Sequence, residues 1–237
     1  MTESQTPSVG ALVRNYLHSP KHDEELHGNW VMALLHRWPG FLLSALFLRA
    51  GISANAVTLT GATFALILPL MAWLLPVPLA AWTVLVLGSL VITLDCCDGD
   101  IARWTGSASR HGAQLDFVVD MALWGLLYGS LGLLADRAGV GDGGAVVTGG
   151  WTALALGSAW LRLLARVIND AAGGGQTVGQ GPWTVTTALT AFVAGLSGAL
   201  PFLAPLVIWH PALIWLLALY AIADVVNALW RMMVRAG

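Results

Sequence analysis

Residues 80–103 read AAWTVLVLGSLVITLDCCDGDIAR, fifteen uncharged residues that run into a cluster of acids and one arginine. A helix needs about 20 predominantly apolar residues to cross the hydrocarbon core of a bilayer. This stretch meets that length, and its acids sit where charge is costly and usually functional. Working outward, the pattern predicts five further spans, over 56–76, 112–135, 145–168, 182–206 and 210–232. Pro76 and Pro78 separate the first pair, and glycine-rich stretches near 139–144 and 173–181 separate later ones. Pro211 opens the last, at a position where a helix tolerates proline.

Composition agrees with that reading. Charged residues make up 10% of the 237, against about 25% in typical soluble domains. Apolar residues are 57%, and the mean hydropathy is +0.73. A soluble enzyme of this size would need more charge to cover its surface, so the class that remains is an all-α integral membrane protein. The net charge is −2, and no basic stripe points to nucleic acid. Cys96 and Cys97 are adjacent and read as small packing residues rather than a redox pair. The first 28 residues are polar and carry no recognisable signal peptide. The stretch 28–50 mixes Trp30, Leu34, Leu35, Trp38, Phe41, Leu42 and Leu46 with His36, Arg37 and Arg49. It predicts an amphipathic helix at the membrane surface, with a break at Pro39-Gly40. The expected organisation is thus a cytoplasmic and interfacial segment over 1–50 and a six-helix transmembrane catalytic domain over 51–237.

Six spans put both termini on one side. Arg14, Lys21, Arg37, Arg49, Arg103, Arg110, Arg162, Arg166, Arg231 and Arg235 fall on that side, and Arg137 falls on the other. Cytoplasmic loops carry an excess of Lys and Arg. Both termini, and the acids beside them, are therefore expected at the cytoplasmic face of a plasma or inner membrane.

The acids cluster with a geometry. Asp95 and Asp98 are i and i+3, and Asp116 and Asp120 are i and i+4, so each pair shares a helix face. The link between the two spans centres near Ser107, and Asp98 and Asp116 are each nine residues from it. In an antiparallel hairpin the four carboxylates meet at one depth. Ionised acids in such a place need compensation, and hard divalent cations with oxygen ligands provide it. Chemistry alone then points to a metal-dependent reaction on a phosphorylated substrate. The competing reading is a structural acid–arginine network in which Arg103 and Arg110 pair two of the acids.

Asp95-x2-Asp98-Gly99-x2-Ala102-Arg103-x8-Gly112-x3-Asp116-x3-Asp120 resembles the signature of the CDP-alcohol phosphotransferases at every fixed position. The six-span layout resembles that family's too. The resemblance implies transfer of a substituted phosphate from a CDP-linked donor to an alcohol, with release of CMP and with two Mg²⁺ or Mn²⁺ ions. It implies that Asp95, Asp98 and Asp116 are metal ligands, and that Asp120 is the general base and a further ligand. Gly99, Ala102, Arg103 and Gly112 become the nucleotide-binding set. Asp100 falls at an unrestricted position turned away from the Asp95/Asp98 face, where solvent or a capping role is expected. Ile52-Ser53-Ala54-Asn55-Ala56-Val57-Thr58 resembles the family's Pro-Asn-x-x-Thr start, with Ala54 in place of proline. Asn55 is then either a nucleotide contact or a plain helix cap.

The resemblance also frames the acceptor side. The chain lacks the Lys-rich segment of phosphatidylglycerolphosphate synthases ahead of the fifth span. Arg110, Arg162 and Arg166 are candidates for an acceptor phosphate, and the last two equally fit arginines that snorkel to the interface. Asp224 and Asn227 share a face of the last span, and His111 reads as a loop histidine. Gly125, Gly129 and Gly132 fit close packing within the bundle or a dimer face, and family members often form dimers. At least one substrate is expected to be lipid. Two other classes remain open here: a Mg²⁺-dependent intramembrane prenyl-diphosphate enzyme using the same acids, and an ion or proton transporter.

Overall fold

The computed structural model describes residues 7–139, 149–171 and 185–236; the described residues are 90% helical and contain no strand. The chain opens with α1 (Val9–Leu17) and α2 (Pro20–Gly28). Ser8 caps α1, its Oγ accepting from the Ala11 N–H at 3.2 Å, and Pro20 opens α2 where its missing N–H costs nothing.

A π turn over Met32–His36 then leads directly into α3 (Arg37–Arg49). The break expected at Pro39-Gly40 is absent. Pro39 lies in the first turn of α3, just where the hydrogen-bonding pattern changes from π to α, so its missing N–H interrupts little. Gly40 is a point of close approach instead. A Cβ there would lie 3.4 Å from the Cys96 Cβ, and the Cys97 thiol donates to the Gly40 carbonyl at 3.3 Å. Cys96 and Cys97 are free and buried, as packing residues should be.

Among the described residues, five helices are long and apolar enough to cross a membrane. They are α4 (Ala54–Leu74), α5 (Val77–Thr105), α6 (Arg110–Ala138), α7 (Gly150–Ala171) and α10 (Ile214–Ala236), the last preceded by a 3₁₀ turn at Pro211–Leu213. On α4, Leu66, Leu70, Trp73 and Leu74 form an exposed apolar stripe, which lipid rather than water would cover. The fifth expected span exists in pieces: α8 (Val185–Gly195), a 3₁₀ stretch over Leu196–Leu203, and α9 (Ala204–Val207). Pro201 and Pro205 remove two backbone donors there, and the chain tightens rather than continuing as α-helix. The fourth expected span is described from α7's start at Gly150; its first expected residues, 145–148, lie outside the described residues. Residues 140–148 and 172–184, which contain most of the glycine-rich links and the start of the fifth expected span, lie outside the described residues.

The chain forms two compact units. One gathers the described parts of Met1–Phe64, Ser89–Asp120 and Val178–Ala199. Leu12 and Tyr16 of α1 pack there with Phe41 and Ala45 of α3, and Val57, Leu94, Cys97 and Ile101 form a second cluster. Trp30 stacks on Phe192 and its Nε1 donates to the Phe192 carbonyl at 3.1 Å. A side chain on Gly195 would overlap that indole ring.

The other unit gathers the described parts of Ala65–Gly88, Met121–Thr177 and Leu200–Gly237. In it α7 packs lengthwise against α10. Gly132 touches the start of α7 so closely that a Cβ would lie 2.6 Å from the Thr152 Cα, and Gly129 faces Leu156. Packing within the bundle therefore accounts for these two glycines. Buried Asp136 caps α7, accepting from the N–H groups of Trp151 and Thr152 and from the Thr152 hydroxyl. Arg137 donates to the Ala72 carbonyl.

Candidate active site

The hairpin between α5 and α6 is built by its own sequence. Gly106 has φ +63°, a left-handed conformation that costs other residues more, and it ends α5 in a Schellman motif. The Ser107 N–H bonds the Ala102 carbonyl at 3.0 Å, and Ser109 Oγ then accepts from the Gly112 N–H at 3.0 Å to start α6. Four residues thus turn the chain and bring Asp95 and Asp98 of α5 back toward Asp116 and Asp120 of α6.

Asp95 lies within electrostatic reach of Asp98, Asp116 and Asp120, so the four acids share one region of the hairpin. Asp98 is buried, and its Oδ2 accepts from the Thr58 hydroxyl of α4 at 2.6 Å. A hydrogen bond to a charged acceptor contributes about 1.5–3 kcal/mol and holds that carboxylate in one orientation. Among the described residues no three His, Cys, Asp or Glu side chains are already gathered as a metal-ligand set. Donor chemistry and charge do fit a divalent cation: hard carboxylate oxygens at close quarters carry like charge that a cation would neutralise.

The nucleotide candidates are adjacent to these acids. A Cβ on Gly112 would lie 3.5 Å from Asn55 Oδ1, so residues 57 positions apart in sequence share one small space. Asn55 is not the cap of α4. Ser53 has that role, its Oγ accepting from the Ala56 N–H at 3.3 Å. Gly99 lies under the Arg103 guanidinium, with a Cβ position 3.2 Å from Nη1. Arg103 is also within electrostatic reach of Asp98. Ala102 is half-buried on the same turn of α5.

Asp100 is neither solvated nor a cap. It is buried, and its Oδ1 accepts from Arg37 Nη1 at 2.9 Å and from Arg103 Nη2 at 2.6 Å. Arg103 does pair with an acid, as one expected reading had it, but that acid is Asp100, and the second arginine on it is Arg37. Arg37 is buried too. It donates twice to Glu25 of α2, through Nε at 2.7 Å and through Nη2, and once to the Cys96 carbonyl at 3.2 Å. Tyr16 donates its hydroxyl to Glu25 at 2.9 Å and stacks beneath the guanidinium. Burial disfavours the charged form of Glu25, yet the Arg37 hydrogen bonds and charge hold its pKa below the usual carboxylate value. Burial likewise works against the charge on Arg37, and the bonds to Glu25 overcome it. Burial, then the Glu25 charge, pushes Tyr16 well above its ordinary pKa. Tyr16, Glu25 and Arg37 escape a motif-based reading. The one signal was an arginine inside an apolar stretch.

The arginines considered for an acceptor phosphate separate. Arg110 is exposed at the start of α6, in the unit that carries the acids. Arg162 belongs to the other unit and is committed: its Nε faces Asp224 at 3.4 Å, its Nη1 donates to the Tyr128 hydroxyl at 3.2 Å, and its guanidinium lies over Trp124 and Tyr220. Arg166 is half-buried one turn further along α7, and Arg231 is within electrostatic reach of Asp224. Asn227 is half-buried and His111 exposed.

Carboxylates clustered at a hairpin of two long apolar helices suit the class of membrane enzymes that act on phosphorylated substrates. Within that class, the family model for CDP-alcohol phosphatidyltransferase matches residues 52–215, and the chain belongs to that family. No curated protein matches it closely enough to name a relative. The family places the protein among membrane transferases of phosphate-containing groups that use CDP-alcohol and alcohol substrates.

Proposed function

We propose that this protein joins a CDP-linked donor and an alcohol acceptor, at least one of them a lipid, and releases CMP, with Mg²⁺ or Mn²⁺ at the carboxylates. The observation that carries the reading is the approach of Asp98, Asp116 and Asp120 to Asp95, beside the small residues Gly99, Ala102 and Gly112. Asp95, Asp98 and Asp116, with Asp120, would hold the cations. Bound there, divalent cations neutralise the diphosphate and stabilise charge that develops on its oxygens.

The chain's own groups supply the rest. Asn55 and Gly112 border the space that receives the nucleotide, and Arg103 faces a phosphate. Asp120 takes the proton from the acceptor hydroxyl. The acceptor oxygen bonds to the phosphorus carrying the donor alcohol, the bond from that phosphorus to the bridging oxygen breaks, and the oxygen leaves on CMP. No covalent enzyme intermediate is needed. The ten-to-one distribution of basic residues supports a site at the cytoplasmic face, with both termini on that side.

The test is CMP release by the purified protein with Mg²⁺, using CDP-diacylglycerol, CDP-choline and CDP-ethanolamine against a panel of alcohols and a membrane-lipid extract. Release with one donor–acceptor pair is expected and identifies which partner carries the lipid. No release, together with no affinity for CDP, overturns the reading in favour of a prenyl-diphosphate substrate.

A further inference from the structure

We infer that Asp100 is a positioning residue for Arg103, anchored through buried Arg37 to Glu25, so that the N-terminal helices form a working part of the donor site. The inference rests on the reading of that site as a CDP-alcohol site. Tyr16, Glu25 and Arg37 all precede residue 52, where the family match begins.

The geometry is a chain of alternating charge. Glu25 binds Arg37, Arg37 binds Asp100, and Asp100 binds Arg103. The first three are almost fully buried, while the Arg103 side chain is 37% exposed and able to meet a ligand. Both guanidinium groups bond the same Asp100 oxygen, and Oδ2 has no hydrogen-bond partner among the described residues. One oxygen therefore couples the buried arginine to the exposed one, and a turn of the carboxylate disturbs both. Arg103 is held flat against Gly99 as a result, with Nη2 committed to Asp100 and the rest of a partly exposed guanidinium turned to address a phosphate. A long side chain fixed before the ligand arrives gives up less rotamer freedom on binding. Leu12, Asn15, Tyr16 and Ser19, from α1 and the turn after it, line a cavity with Asp100 and Arg103, so the N-terminal segment reaches the exposed end of the chain of charges directly.

The experiment measures CDP affinity of the full-length protein with Mg²⁺ by calorimetry, in wild type, Asp100→Asn, Arg103→Lys and the double variant. Asp100→Asn keeps the size of the side chain and leaves Arg37 paired with Glu25. It should weaken CDP about tenfold, roughly the loss of one well-placed charge-assisted contact. Because Asp100 acts through Arg103, the double variant should bind no more weakly than Arg103→Lys alone. A purely structural role would instead lower the melting temperature and leave losses that add. Unchanged or tighter CDP binding in Asp100→Asn, or additive losses in the double variant, overturns the inference. Glu25→Gln, which retains an acceptor for Arg37, gives a second reading should Asp100→Asn not fold. A loss of about threefold is expected and no change is contrary. Wild-type protein that does not bind CDP removes the donor-site reading and the inference together. Wild type that binds while Asp100→Asn is unaffected removes the inference alone.

Discussion

Asp224 on α10 faces Arg162 across 3.4 Å, and Arg162 is in turn held by Tyr128, Trp124 and Tyr220. Asp95 on α5 lies within electrostatic reach of three other carboxylates and of Arg37, which is bonded to Glu25 and Asp100. The same residue type thus has opposite surroundings in the two units. Asp224 and Asp136 are acids neutralised or bonded from within, and they join helices. Asp95, Asp98, Asp116 and Asp120 concentrate like charge, an arrangement that packing alone does not reward. An acid in a membrane helix is informative about function when its neighbours raise its electrostatic cost rather than relieve it.

The contrast can be broken most directly at the motif. Asp98→Asn should lower CMP release by about a thousandfold or more while the protein still purifies and melts like wild type, because it removes one charge from the proposed cation site and keeps an acceptor for Thr58. Near-normal turnover would erase the distinction between the two groups of acids. Asp120→Asn should cost about a hundredfold in kcat with CDP affinity within about threefold of wild type, as expected of a proton acceptor. Parallel losses in both would argue against its role as proton acceptor. On the other side, Arg162→Met should lower stability by about 1–3 kcal/mol, measured by thermal unfolding in detergent, with CDP affinity unchanged. A large effect on CDP with no change in melting would move Arg162 into the site.

The smallest expected effect concerns His36, whose ring nitrogens face Thr93 Oγ1 at 3.2 Å and the Gly198 carbonyl at 2.9 Å. Burial holds its pKa below the ordinary 6.5. The unfolded chain then binds the proton more readily, so this contribution to stability is full above about pH 6.5 and declines as pH falls toward the folded pKa. His36→Asn should flatten that part of the stability–pH profile. An unaltered slope would place its origin in another group.

Much of the architecture was legible because its causes are local. Apolar runs of about 20 residues mark the spans, and spacings of three and four place Asp95 with Asp98 and Asp116 with Asp120. The hairpin that joins these pairs follows from Gly106 and Ser109, a few residues of turn chemistry. What sequence reading missed depends on contacts between distant residues. Glu25 lies in a polar stretch with no periodic signature, and Arg37 meets Asp100 63 positions away. Asp100 turned from the Asp95/Asp98 face as helix geometry requires, but periodicity cannot tell a solvated face from one covered by another helix. Pro39-Gly40 spelled a break because the π turn before it, which absorbs the proline, leaves no mark in composition. Pro201 and Pro205 show the reverse: a span of adequate length and hydropathy that its prolines divide into three segments.

The π turn at Met32–His36 carries one more consequence. A π turn is an α-helix with a single residue inserted, and each residue of a helix turns its successors by about 100°. That one insertion sets the phase at which Arg37 leaves the turn. Deleting Leu34 or Leu35, both exposed and outside the buried core, would restore regular α-helix. It would also swing Arg37 away from Glu25 and Asp100. Counted in residues the lesion is the smallest a chain can suffer, yet its effect should match loss of the arginine itself. The spacing between α2 and α3 is therefore as much a determinant of this protein as the identity of any side chain in its motif.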